Sequence, residues 1–336
     1  MDLTRPTTLA DVAARAGVSV ATASRVLNGS PHKVSAPLAT KVRRVAAELR
    51  YAPNVQAQGL ARSTSSVVAM LVHDIADPYF GRIAQGILAE AVHNDVQIVL
   101  AESGSDPDDA RTRLAALRGL RPRAALVVGS RTARTPAEQA LADSLAELRS
   151  TGATVVTVGQ PGLPGACVHP QDQAGATAVA RHLVSLGHRR FTVVTGPPTL
   201  RVVTERRAGF LAGLPAGAGV DIITTDFSRD GGHAAGEQFC STTDRATAVF
   251  VTGDVMAGGF CNAVRAAGLT IPGDVAVAGF DDLPIAADLN PPLTTVRLPL
   301  YDMGVTALRL ALRGPSDRIE PVAGELVVRG STDPGS

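Results

Sequence analysis

In residues 1–50 the apolar positions recur at helical spacing in three short blocks, each with its own start and stop signals. In the first block Leu9, Val12, Ala13 and Ala16 share a face. Thr8 is placed to cap it, with Asp11 in capping-box position, and Gly17 breaks it. In the second, Ser19 precedes a helix over Val20–Leu27 that ends at Asn28-Gly29-Ser30-Pro31. The third starts at Ser35 and Pro37. It buries Leu38, Val42, Val45, Ala46 and Leu49 and turns Lys41, Arg43, Arg44 and Arg50 outward. Pro53-Asn54 stops this unit, and residues 55–61 leave room for about two helical turns before a polar run at 62–66.

From residue 67 the pattern changes to β-branched strands alternating with longer Ala-rich helices. Strands are predicted at Val67–Val72, Val96–Leu100, Ala124–Val128, Thr154–Val158, Phe191–Thr195, Val220–Thr224, Ala248–Val251 and Val275–Phe280. This alternation predicts an α/β fold with doubly wound parallel sheets. So many strands fit two lobes better than one, with Pro161–Gly165 as the crossing between them. The expected organisation is a headpiece at 1–50, a hinge helix and linker at 51–66, and a core at 67–332. Within the core, one subdomain takes 67–160 and 293–318, and the other takes 161–292 and 319–332. No repeat of solenoid period is visible.

Composition narrows the class. The chain has 336 residues, 45% of them hydrophobic, enough for a substantial core. No basic segment followed by an apolar run opens the chain, and no stretch approaches the ~20 apolar residues of a membrane span, so a cytoplasmic, non-membrane protein is expected. The cysteines, Cys167, Cys240 and Cys261, lie outside any metal-ligand spacing and read as buried thiols, so no metal or cofactor is expected. The net charge of +1 hides a polarity: residues 1–64 hold nine Lys or Arg against three Asp or Glu, while the rest of the chain is acidic. Positive charge is concentrated where a polyanion would be gripped.

The segment Leu9–Asn28 has the spacing of a DNA-reading helix-turn-helix, with Gly17 at the turn and Val18 filling the angle between helices. The second helix would enter the major groove. Val20, Ala21 and Thr22 offer small apolar groups to thymine methyls, Arg25 reaches a guanine edge or a phosphate, and Thr22, Ser24 and Asn28 reach phosphates.

The stretches TLADVAARAGVSVATASRVLNG, VSAPLATKVRRVAAELRYAPN and AQGLAR closely resemble the headpiece and hinge of the lactose/galactose-repressor (LacI/GalR) family. The resemblance continues through Asp77-Pro78-Tyr79-Phe80, Gly187-His188-Arg189-Arg190, Arg206 with Gly209-Phe210, Gly253-Asp254-Val255-Met256-Ala257 and Gly279-Phe280-Asp281-Asp282, to Pro292–Val296. It implies an all-α helix-turn-helix headpiece on a periplasmic-binding-protein-like core of two doubly wound subdomains. It further implies a homodimeric transcriptional repressor on a pseudo-palindromic operator, with a small-molecule effector, a sugar or related metabolite, between the subdomains. It extends the DNA contacts to Thr8, Ser19, His32, Tyr51, Asn54 and Gln58, and makes Leu60 the wedge that opens the minor groove. Gly59 costs such a short hinge helix about 1 kcal/mol relative to Ala, so the hinge is expected to fold only on DNA.

The resemblance also places Phe80, Arg206, Phe227, Asp254 and Asp281 around the effector. Arg206 is the gripping fork, Asp281 accepts hydroxyls at a strand's carboxyl end, and the two rings flank the ligand. Arg206→Ala is accordingly expected to keep operator affinity and lose the effector response. Two positions depart from the family: Gly253 stands where many relatives have Asn, and Gly159 where the lactose repressor has an acidic ligand contact. Past Arg329 only 330–336 remain, so no tetramer built on a C-terminal heptad helix is expected.

An enzyme is not expected. No GxSxG, Walker A, HExxH or strand-following GxGxxG occurs, and Asp106, Asp108 and Asp109 read as helix-start carboxylates. A transport sugar-binding protein would share the core but would have no use for the headpiece.

Overall fold

The computed structural model describes residues 7–27, 34–51, 65–104, 107–129 and 136–333, and the chain divides into a unit at Met1–Ser66 and a second at Val67–Ser336. The first contains α1 (Leu9–Ala16), α2 (Val20–Leu27) and α3 (Ala36–Glu48), packed around Val12, Ala13, Ala16, Ala23, Val26, Val42 and Val45. The capping box forms: Asp11 Oδ2 accepts from the Thr8 amide at 2.8 Å and the Thr8 hydroxyl at 2.6 Å, and the Asp11 amide donates back to that hydroxyl. Gly17 closes α1 in the left-handed region at φ 66°, which the turn into α2 requires. Val18 packs half-buried against the same core. Ser35 occupies the N-cap of α3 without making a side-chain cap bond. Pro37, with its preset φ, starts that helix instead.

The second unit holds two parallel sheets. The first is ordered β11-β5-β4-β3-β1-β2, from β1 (Val67–Val72), β2 (Gln97–Glu102), β3 (Ala124–Val128), β4 (Thr154–Val158), β5 (Ala166–Pro170) and β11 (Ile319–Val322). The second is ordered β7-β6-β8-β9, from β6 (Arg190–Thr195), β7 (Gly219–Thr224), β8 (Ala248–Val251) and β9 (Ala276–Ala278). A short antiparallel pair, β10 (Thr295–Arg297) and β12 (Glu325–Val327), completes the strands among the described residues. The helices are α4 (Pro78–His93), α5 (Pro107–Arg118), α6 (Pro136–Ser150), α7 (Asp172–Ser185), α8 (Arg201–Ala212), α9 (Arg229–Ser241), α10 (Asp254–Ala266), α11 (Pro284–Asp288) and α12 (Leu300–Arg313). None of the described helices is long and apolar enough to cross a membrane.

The subdomain boundaries differ from those expected. β5 pairs with β4, so the first crossing follows Pro170, and 161–165 is a turn within the first lobe. The second lobe therefore does not begin at 161. β11 pairs with β5, which returns 319–322 to the first sheet, while β10 pairs with β12 and bridges Asp281 through Arg297 on the second lobe's side. The β5–β11 pairing is long-range, and β5, β10, β11 and β12 are too short or too rich in Pro and polar residues to show a strand period.

Four phenylalanines link the second lobe's core to the cleft. Phe191 meets Phe210 edge-on at 5.9 Å, Phe210 stacks on Phe250 at 4.8 Å, and Phe250 meets Phe280 at 6.4 Å. Phe280 then supports the guanidinium of Arg206, 3.9 Å above its ring.

Candidate functional site

The headpiece carries the first site. The face of α2 opposite its buried Ala23 and Val26 shows Val20, 49% exposed, with Ala21 and Arg25 also exposed. Ser19 accepts the Thr22 amide at 3.1 Å, and the two hydroxyls bond each other at 2.9 Å. Those groups hold the first turn together, leaving Val20, Ala21 and Arg25 as its outward chemistry, with Ser24 half-buried beside them. Thr8 is likewise committed to its capping box, and Tyr51 packs half-buried against the headpiece core. Asn28, His32, Asn54, Gln58 and Leu60 lie outside the described residues.

The second site is a cleft with about 850 Å³ of empty space, open to solvent, between the two sheets of the core. Its walls come from the carboxyl ends of strands, where doubly wound sheets place ligands. His73, Asp74 and Asp77 follow β1, Gly159 follows β4, and Pro170 ends β5. Phe227, Gly253 and Asp281 follow strands of the second sheet. All of Phe80, Arg206, Phe227, Asp254 and Asp281 line it.

Arg206 is the centre of its chemistry and is 1% exposed. Nε donates to Asp172 Oδ1 at 2.8 Å, Nη1 to the Thr252 carbonyl at 2.8 Å and Asp281 Oδ2 at 3.1 Å, and Nη2 to Asp281 Oδ1 at 2.7 Å. Burial by itself lowers its pKa, but Asp281 and Asp172 outweigh that cost and raise it, so the group stays cationic. Burial pushes the Asp281 carboxyl up to about 7 against the pull of Arg206. Asp281 and Asp282 both hold left-handed backbone, at φ 109° and 53°. Non-glycine residues there carry about 1–3 kcal/mol of strain, retained where surrounding structure demands it.

Asp254 is fully buried, and its oxygens accept from the Leu283 amide at 2.8 Å and the Thr295 hydroxyl at 2.7 Å. It thus ties α10 to β10 rather than pointing bare oxygens at a ligand. Burial, then the charge of Asp281, drives its pKa well above the usual carboxylate range. The folded protein holds this proton more tightly than the unfolded chain, so the associated stability is complete below about 4 and is lost as pH rises towards the raised value. Asp254→Asn is expected to remove that component. Melting curves of the two proteins across this range check it, and parallel dependences would refute it.

Sequence reasoning missed several cleft residues. Asp172 opens α7 and reads as a helix-start acid, and nothing local announces its partner on α8. Asp77 caps α4 by accepting from Tyr79 N–H at 2.9 Å, and the motif around it signalled the position without the role. Burial, then Asp172 and Asp281, keep the Tyr79 phenol protonated. The two departures have physical causes. Gly159 sits at φ 79°, and a Cβ there would stand 2.8 Å from the Gly129 carbonyl. A Cβ on Gly253 would stand 2.8 Å from Phe227 Cζ, so that ring occupies the space a larger residue would take.

The description "Bacterial regulatory proteins, lacI family" matches residues 8–54, and "Periplasmic binding protein-like domain" matches 180–332. Among similar proteins, the HTH-type transcriptional regulator GalS of Salmonella typhimurium is 32% identical, with 94% of this chain and 92% of the relative covered. The HTH-type transcriptional repressor CytR of Escherichia coli is 30% identical, covering 97% and 96%. The lac repressor dimer bound to operator and the anti-inducer ONPF superimposes with a TM-score of 0.82 at 26% identity, covering 98% of this chain and 99% of that one. The transcriptional regulator CelR–cellobiose complex does so with a TM-score of 0.69 at 28% identity, covering 97% and 100%.

A helix-turn-helix unit joined in one chain to a two-sheet cleft of this kind defines a DNA-binding transcriptional regulator with a periplasmic-binding-protein-like core. The chain belongs to the lacI family of bacterial regulatory proteins. Its named relatives are regulators and repressors, not enzymes.

Proposed function

We propose that the chain is a repressor acting as a homodimer on a pseudo-palindromic operator, and that a small molecule in the core cleft sets its operator affinity. The supporting observation is the cleft itself: its lining comes from both lobes, so an occupant that contacts both changes the preferred angle between them. Relatives point the same way. A lac repressor dimer is bound to operator and an anti-inducer, and CelR is bound to cellobiose.

In this reading residues 1–50 read base edges, with Val20, Ala21 and Arg25 foremost. Residues 51–66 serve as the hinge, with Leu60 as the minor-groove wedge and Asn54 and Gln58 as further DNA contacts. The core reports occupancy through the spacing of the paired hinges. Effector binding favours one lobe angle only to the extent that it contacts that state better.

The test is a mobility-shift titration of the full-length protein on a duplex selected from random sequence, with and without molecules that raise its melting temperature. At least one such molecule is expected to change operator affinity by about 5- to 150-fold, the span of ordinary allosteric couplings. Occupancy of the cleft with operator affinity unchanged would overturn the reading.

A further inference from the structure

We propose that the cleft takes an uncharged, hydroxyl-bearing ring compound and rejects the phosphate esters and acids of such compounds, because Arg206 is an internal counter-ion rather than an anion receptor. This rests on the effector reading above and specifies its chemistry.

The first observation is the saturation of the guanidinium. Bonds to Asp172, Thr252 and Asp281 engage Nε, both N–H groups of Nη1 and one of Nη2, and the ring of Phe280 covers one face. One N–H on Nη2 is left for a ligand. A phosphate or carboxylate prefers a two-pronged grip from such a fork, and here that grip already belongs to Asp281.

The second is the sign of the remaining lining. Asp74, Asp77, Asp172 and Asp281 line the cleft with this single guanidinium, which Asp172 and Asp281 already bond, and among the described lining residues His73 is the other group able to carry positive charge. Arg201, which opens α8, pairs with Glu205 at 3.0 Å. Asp77 lies close enough to Asp74 for their charges to oppose each other, and burial, more than this, raises its pKa. An arriving anion would add to that repulsion, whereas carboxylate oxygens accept hydrogen bonds and so suit a ligand rich in hydroxyl donors.

The third is the seat of Phe227. Cβ atoms on Gly196 and Gly253 would stand 2.7 and 2.8 Å from its ring, so the ring lies against both glycines and cannot retreat. With Phe80 it gives the cleft fixed aromatic surface, which suits the apolar face of a sugar or nucleoside ring.

The experiment is calorimetric titration of the full-length protein with matched pairs: neutral mono- and disaccharides and ribonucleosides, each beside its phosphate ester and, for the sugars, its uronic acid. A neutral member is expected to bind, with its charged counterparts about tenfold weaker or worse. A phosphate ester or acid that binds as tightly as its parent overturns the proposal.

Inorganic phosphate supplies a check that needs no ligand. Wild-type protein and Arg206→Gln are expected to show the same thermal response to phosphate at matched ionic strength. A stabilisation seen in the wild type and lost in the variant overturns the proposal. Should Arg206→Gln not fold, Asp172→Ala, which takes away the acceptor of Nε, is expected to gain a phosphate response that the wild type lacks, and equal responses would count against the assignment. Neutral compounds that bind without moving operator affinity would sink the effector reading and leave this one standing. A phosphate ester that binds preferentially and shifts operator affinity would do the reverse.

Discussion

Replacing Arg206 by alanine is expected to destabilise the core by about 3–5 kcal/mol, a large share of the roughly 5–15 kcal/mol that holds a domain folded. The substitution leaves Asp172 and Asp281, both nearly inaccessible, without their shared cation, and it removes the group stacked on Phe280. Breaking such a buried cluster costs more than the cluster contributes, because uncompensated charge remains behind. The expectation that this variant keeps operator affinity and loses the effector response is therefore to be read beside its stability, because lost contact and lost folding would both remove the response. A triple variant carrying Asp172→Asn and Asp281→Asn as well removes the stranded charges and is expected to recover part of the loss. Denaturant unfolding of the core transition measures both. A cost under about 1 kcal/mol for Arg206→Ala alone would show that the two carboxylates find other compensation.

Much of this architecture is legible in the sequence where the signal is local. The Thr8–Asp11 box, the left-handed Gly17 and the Ser19 cap depend on residues within a turn of one another, and they form as read. β1, β3, β4 and β8 occupy the predicted ranges because each is a short apolar run buried on both faces. Legibility fails where structure depends on partners distant in the chain. β5 carries His169 and Pro170, and β11 carries Pro321, so neither shows a strand period, yet their pairing decides where the lobes divide. The site divides the same way. Motif resemblance brings Phe80, Arg206, Phe227, Asp254 and Asp281 to one cleft, but not Asp172, which together with Asp281 turns Arg206 from a waiting receptor into a paired ion. Nor does it give the backbone of Asp281 and Asp282, which lets Asp281 face Arg206 while Asp282 accepts from Arg297 at 2.7 Å and Arg329 at 2.6 Å.

The headpiece yields the cleaner separation of folding from function. Val20 is the first residue of α2 and is 49% exposed, so its side chain contributes little to the three-helix core. Val20→Asp places a carboxylate at a helix N-terminus, where the partial positive charge of unpaired amides favours it by about 0.3–1 kcal/mol, so headpiece stability is expected to hold or rise slightly. On DNA the same change is costly. It replaces an apolar contact suited to a thymine methyl by an anion among phosphates and base acceptors, and affinity for the selected duplex is expected to fall on the order of 100-fold. Binding to random-sequence duplex at the same salt loses the charge contribution alone and should fall much less. Mobility shifts of the full-length protein on both duplexes, with circular dichroism to follow the headpiece, measure the three quantities together. Equal losses on both duplexes would reduce Val20 to a bystander near the phosphates, and an unchanged affinity would remove the start of α2 from the groove altogether.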